Sequence, residues 1–321
     1  MKKIFTVFAL FLTAISFSAC GSEKSAQDVK IKVVATIFPI YDWTREIISE
    51  DKDFDLMLLM DKGVDLHSFQ PSAEDMMKVS ECDVFIYVGG ESDEWVGDAL
   101  KNATNKNMVV VNLMEVLGDK IKPEEHIKGM EEDHEHEHHE NHDHEEEVEN
   151  DEHVWLSLKN AQILYDAITD ALSKVAPSKA KTFEKNSAAY KEKLAALDQK
   201  YHDALSATQS KTLLFGDRFP FRYLVDDYGL KYFAAFAGCS AETEASFQTI
   251  SFLAGKVDEL NLPCVMTIEG SDKKIAETII ANTAAKNQRI LVLNSMQGKI
   301  DGETYLSVME KNLEVLREAL K

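Results

Sequence analysis

PSKAKTFEKNSAAYKEKLAALDQKYHDALSAT, residues 177–208, holds no glycine and, beyond Pro177 itself, no proline. Pro177 suits a first helical turn, where its fixed φ matches the helix and its missing N–H would be unpaired anyway. Apolar residues then recur at Phe183, Tyr190, Leu194, Leu197, Tyr201 and Leu205, spacings that keep them on one helical face. At 1.5 Å per residue the stretch predicts a rod of roughly 48 Å, longer than a small domain is wide. Such a rod can tie two lobes together.

The sequence on either side of it repeats one pattern. Before it, VVATIF (33–38), FDLMLLM (54–60), VFIYVG (84–89) and MVVVNLM (108–114) are apolar runs of strand length, with helical patterns near 41–49, 72–80 and 93–103. After it, TLLFG (212–216), YFAAFA (232–237), CVMTI (264–268) and ILVLN (290–294) alternate with helical patterns near 219–227, 243–261, 272–285 and 304–320. Continuous apolar strands separated by helices predict parallel sheets covered on both faces. The fold class expected is therefore α/β: two similar lobes with parallel sheets, joined by one long rigid helix. Ligands of such sheets sit at the carboxyl ends of the strands, here in the cleft between the lobes. The expected division is an N-terminal lobe at 31–176, a linking helix at 177–208 and a C-terminal lobe at 209–321.

With 321 residues the chain has room for about two domains. Its first twenty residues differ from the rest. Lys2 and Lys3 precede the apolar run 4–17, and Ser18, Ala19 and Cys20 follow, the layout of a secretory signal. FSAC (17–20) resembles the lipobox of bacterial lipoproteins, whose cysteine becomes the lipidated first residue, although Phe17 stands where leucine is usual. Residues 21–30, opening with GSEKSAQD, then read as a polar tether. The expectation is an extracytoplasmic protein anchored to a bacterial membrane by a lipid on Cys20. The remaining Cys82, Cys239 and Cys264 are odd in number and set up no disulfide framework.

The formal net charge is −21. Residues 124–152 hold fifteen acids against Lys128 alone, which leaves −7 for everything else. Nucleic acid needs a basic surface and is excluded as a partner. The same segment carries seven of the ten histidines: His126, His134, His136, His138, His139, His142 and His144. Imidazoles interleaved with carboxylates suit the capture of a borderline divalent cation such as zinc. Outside this loop stand His67 in GVDLHSFQPS, His153 in NDEHVWLSL, and His202 on the long helix. The first two fall where strand ends and helix starts should face the cleft.

VVATIFPIYDW, GVDLHSFQPSAEDM, the histidine-rich acidic loop, DEHVWLSLKNA and the long helix together resemble the zinc-uptake solute-binding proteins of bacterial ABC importers, a branch of the wider zinc/manganese-binding family. The resemblance runs over the whole mature chain. It implies a monomer with one buried metal in the cleft, delivered to an ABC permease and its ATPase. It maps two ligands to His67 and His153, and a carboxylate ligand to Glu269 in TIEGSD. The family's third histidine falls at Arg218, whose permanently protonated guanidinium cannot coordinate a cation. Asp217, Cys239, Glu244 or water remain to complete the shell, with Asp217 preferred as the third ligand. Arg218 would then pair with a spare carboxylate and neutralise an acidic cleft. The imidazole-rich loop favours zinc; a more oxygen-rich shell would favour manganese or iron.

Other functions fit less well. A zinc hydrolase is disfavoured because no evident general base accompanies the histidine pair, so no enzyme activity is expected. A surface zinc buffer or adhesin is the remaining alternative. No GxxxxGK[ST] occurs, so this chain is not the ATPase.

Overall fold

The apolar runs on either side of the long helix form two parallel sheets in the computed structural model, which describes residues 30–61, 65–130, 149–240, 244–298 and 302–321. The first half runs β1 (Ile31–Ala35), α1 (Phe38–Ile48), β2 (Phe54–Leu58), α2 (Ala73–Glu81), β3 (Val84–Tyr87), α3 (Trp95–Lys101), β4 (Val109–Asn112) and α4 (Leu113–Leu117). Helices α5 (Leu158–Val175) and α6 (Ala180–Ser206) follow. The second half runs β5 (Thr212–Arg218), α7 (Arg222–Tyr228), β6 (Lys231–Phe236), α8 (Phe247–Leu260), β7 (Cys264–Ile268), α9 (Lys274–Asn282), β8 (Arg289–Leu293) and α10 (Tyr305–Ala319). The sheet orders are β2-β1-β3-β4 and β6-β5-β7-β8, the same order in both lobes, and every strand pairing is parallel. Cys20, the signal and tether regions and His134 to His144 lie outside the described residues.

Alternation along each strand assigns its side chains to two different cores. Val33 and Ala35 of β1, Val84 and Ile86 of β3, Leu213 and Phe215 of β5, and Cys264, Met266 and Ile268 of β7 share one continuous cluster with α5, α6 and α10. The opposite faces of the sheets bury Val34 and Phe85 under α2 and α3, and Leu214 and Val265 under α8 and α9. The two lobes are thus separate sheets over one common apolar layer.

The long helix begins after a 3-10 turn at Pro177–Lys179 and runs for 27 residues, a length of about 40 Å. Phe183, Tyr190, Leu194, Leu197, Tyr201 and Leu205 are all buried on it. Its first half meets the N-terminal lobe, where Phe183 packs edge-on against Phe54 and Asn186 Nδ2 donates to Ile47 O at 2.9 Å. Its second half meets the C-terminal lobe, where Tyr201 Oη donates to Met309 O at 2.6 Å and stacks on Tyr228.

Helix α5 was absent from the sequence expectation, yet it is the main partner of α6. Ser157 caps it, accepting from Asn160 N at 3.0 Å. It folds back along α6 with Tyr165 stacked on Tyr190 at 4.6 Å, while Lys191 pairs with Asp166. The long helix α6 thus joins the two lobes as expected, with α5 packed along it.

Buried polar links fasten the same layer. Asp42 of α1 accepts from Tyr305 N at the start of α10 at 2.8 Å, and Tyr305 Oη donates to Trp155 O at 2.7 Å. Trp155 Nε1 donates to Ser295 O at 2.8 Å. Removing apolar volume from this layer should loosen both lobes together. Leu194→Ala is expected to destabilise the protein by about 2–5 kcal/mol in urea unfolding, whereas Lys185→Ala on the exposed face of α6 should stay within about 0.5 kcal/mol of the parent.

Candidate metal centre

His67 stands on a short 3-10 turn, Leu66–Ser68, that follows β2. Asp65 opens the turn by accepting from His67 N at 3.0 Å. The ring then fits between two partners: Nδ1 lies 2.8 Å from Ser92 Oγ, and Nε2 faces His153 Nε2 at 3.2 Å. Ser92 sits past the end of β3, behind Gly89 and Gly90, which both have positive φ. A Cβ on Gly90 would come within 2.3 Å of Glu152 Oε1, so glycine is what lets this turn close onto the carboxylate. Ser92 N donates to Glu152 Oε1 at 2.9 Å, while Glu152 Oε2 lies 3.6 Å from His67 Nδ1 with no hydrogen-bond partner.

His153 is fully buried at the junction between the acidic segment and α5. Asp151 Oδ1 accepts from His153 N at 2.8 Å and faces its Nδ1 at 3.1 Å. That contact holds a proton on Nδ1 and leaves Nε2 directed at His67. Both imidazoles therefore have their outer nitrogen engaged and their inner nitrogens converging.

The electrostatics of the pair are unequal. Burial, and then the neighbouring His153, pull His67 down to about 3. Burial alone would lower His153 as well, but Asp151, with Glu152 and Asp65, outweighs it and leaves His153 above its ordinary value. A proton shared by the pair thus rests on His153. A divalent ion entering between the rings would have to replace that proton.

Cys239, past the end of β6, completes the group: a ring nitrogen of each histidine and the Cys239 thiol lie within 4.8 Å of one another, the one such set among the described residues. Burial, with Glu124, Asp151 and Glu152 nearby, pushes the thiol's pKa up. A cavity of about 240 Å³ opens beside the group, lined by His67, Cys239, Ser92 and the acids Glu91, Glu149 and Glu152.

The other expected ligands have different surroundings. Asp217 is committed to its own sheet, with Oδ2 accepting from Ile268 N at 3.3 Å and Oδ1 from Arg218 N at 2.9 Å. Glu269, one residue past β7, has one oxygen bonded to Ser295 N and the other to Ser295 Oγ, each at 2.7 Å; burial raises its pKa above the usual carboxylate value. Glu244 is exposed, as is His126. Arg218 pairs with Asp65, the residue that builds the His67 turn, and so joins the two lobes across the cleft. Burial would raise Asp65, but Arg218 and His67 together outweigh this and hold its carboxyl below the usual value.

Several working residues carried no motif. Ser92 and Asp151 act on the outer histidine nitrogens. Gln297, just past β8, accepts from Leu66 N at 3.2 Å through Oε1 and places Nε2 3.2 Å from His153 Nε2. Only proximity to a strand end or to a histidine marked them in the sequence.

Two parallel α/β lobes whose strand ends converge on paired imidazoles define a cleft-binding protein with metal-ligand chemistry. The chain belongs to the family of zinc-uptake complex component A, periplasmic, whose match spans residues 33–319. It is 31% identical over 333 residues to the zinc-binding protein AdcA of Streptococcus pyogenes serotype M1, covering 98% of this chain and 61% of AdcA. It therefore spans about three fifths of that relative's length. The high-affinity zinc uptake system protein ZnuA of Bacillus subtilis is 32% identical over 327 residues, covering 99% of this chain and 97% of that protein. The crystal structure of the Zn(II)-bound ZnuA-like domain of Streptococcus pneumoniae AdcA matches with a TM-score of 0.70 and 29% identity, covering 91% of this chain and 99% of that one.

The unequal pair makes a spectroscopic prediction. In the metal-free protein the His67 ring should keep its neutral carbon shifts from about pH 7 to about pH 5, read by NMR and assigned with His67→Gln. A midpoint near the ordinary 6.5 would contradict the geometry.

Proposed function

We propose that this chain is the extracytoplasmic binding component of an ABC-type zinc importer, capturing the ion in its cleft and handing it to a permease driven by a separate ATPase. The observation that carries this reading is the pair of converging histidine nitrogens, 3.2 Å apart. Zinc–nitrogen bonds of about 2.0–2.1 Å at a tetrahedral angle separate two ligand nitrogens by about 3.3 Å. His67 and His153 are the two imidazole ligands. Glu269 is the carboxylate that joins them when its bonds to Ser295 are exchanged for the ion. A lipid on Cys20 holds the protein at the membrane, and the histidines of the acidic segment, His126 through His144, raise the local concentration of metal. No catalytic step is assigned to the site.

Calorimetry on the metal-stripped protein, with zinc and manganese titrated separately, tests the reading. One tight zinc site is expected. His67→Ala and His153→Ala should each weaken it more than about a hundredfold, roughly 2.7 kcal/mol. Protons compete for His153, whose pKa is raised, so zinc affinity should be full at alkaline pH and decline as pH falls through that raised value. A tighter site for manganese than for zinc would reject the assignment.

A further inference from the structure

The position at which the family resemblance calls for a third histidine is held by Arg218, and Arg218 is engaged with Asp65. With Asp217 held in its sheet, the third place in the coordination shell needs another donor. Resting on the zinc reading above, we propose that Cys239 fills it, so that the ion is held by two imidazoles and one thiolate.

Three independent features bring the sulfur to this place. Gly238 passes so close to the histidine that a Cβ there would lie 3.3 Å from His153 Cε1 and 2.9 Å from Phe219 O. Only glycine lets the chain after β6 run against the ring and present its next side chain to the cleft. Cys239 N then donates to Glu124 Oε1 at 2.8 Å, which fastens the residue to the base of the acidic segment, where Pro123 bridges Asn150. Finally, the thiol shares a cavity with His67 and with Glu152, whose buried Oε2 has no hydrogen-bond partner. That unpaired carboxylate oxygen in a cavity lined by ligating groups is suited to a cation. The other two cysteines differ: Cys82 and Cys264 belong to the cores.

Coordination is balanced simply. The ion takes the sulfur lone pair, the S–H proton leaves to solvent, and the bound thiolate cancels one of the two positive charges. Two nitrogens and a sulfur favour zinc over manganese, which prefers oxygen donors. The exchange of histidine for arginine at position 218 would therefore shift the third donor to the next strand end, without changing the cargo.

X-ray absorption at the zinc edge of the loaded, full chain reads the proposal directly. One sulfur neighbour at about 2.3 Å is expected beside nitrogen and oxygen at about 2.0–2.1 Å. Loading with cobalt should give a sulfur-to-cobalt charge-transfer band in the near ultraviolet, lost in Cys239→Ser. Cys239→Ser and Cys239→Ala should bind zinc about a hundredfold more weakly, and zinc should protect the wild-type thiol from iodoacetamide. Bound zinc with no sulfur neighbour overturns the role of Cys239 while leaving the zinc reading intact. A wild-type protein with no tight zinc site overturns both.

Discussion

The metal centre depends on one apolar layer shared by both sheets. Each lobe has its own outer core, but the inner faces of β1, β3, β5 and β7 close on the same helices, α5, α6 and α10. Hydrophobic burial is non-directional, so this layer alone would tolerate sliding of one lobe against the other. The buried hydrogen bonds remove that freedom. Asp42 to Tyr305, Tyr305 to Trp155 and Trp155 to Ser295 each join distant parts of the chain through a buried group, and losing one partner leaves the other unsatisfied in the interior. They also lead directly to the site, because Trp155 is two residues from His153 and Ser295 holds Glu269.

At the cleft, charge is arranged to suit a cation. Glu152 and Asp151 are buried beside the two imidazoles. Asp65 is already neutralised by Arg218. The guanidinium thus contributes twice: it removes one negative charge from the cleft and anchors the turn that carries His67. Gln297 adds a neutral link from the C-terminal lobe to both His153 and the His67 turn, so the neighbours of the two imidazoles also hold the two lobes in register.

Much of the architecture was legible because it is periodic. Strand-length apolar runs of five to seven residues and the seven-, four- and three-residue steps of α6 reflect burial on fixed faces, and burial acts wherever it is repeated. The edges were less legible. VVATIF does not stay extended through Phe38, because Pro39 lies in the first turn of α1 and Ile37 is its cap. MVVVNLM breaks at Asn112, whose side chain caps α4 by accepting from Glu115 N. Helix α5, amphipathic through Leu158, Ala161, Leu164, Tyr165 and Ile168, follows directly on the histidine motif and has no counterpart among the expected elements.

The sequence by itself determined the two-lobed α/β plan and the long helix, because periodic burial is a local signal, and it singled out His67 and His153 through their position and the family resemblance. Only the tertiary structure decided what surrounds those histidines. In one dimension Asp217 is preferred over Cys239 as a donor, each falling just past an expected strand. Folding sets Asp217 against the N–H of Ile268 and Cys239 against His67 and His153, since a donor's usefulness depends on which lone pairs remain unclaimed once the sheets have paired. Likewise, nothing near Ser92, Asp65 or Gln297 in the chain indicates their partners, which lie 25 to 231 residues away in sequence. Their roles arise from the way the two lobes close.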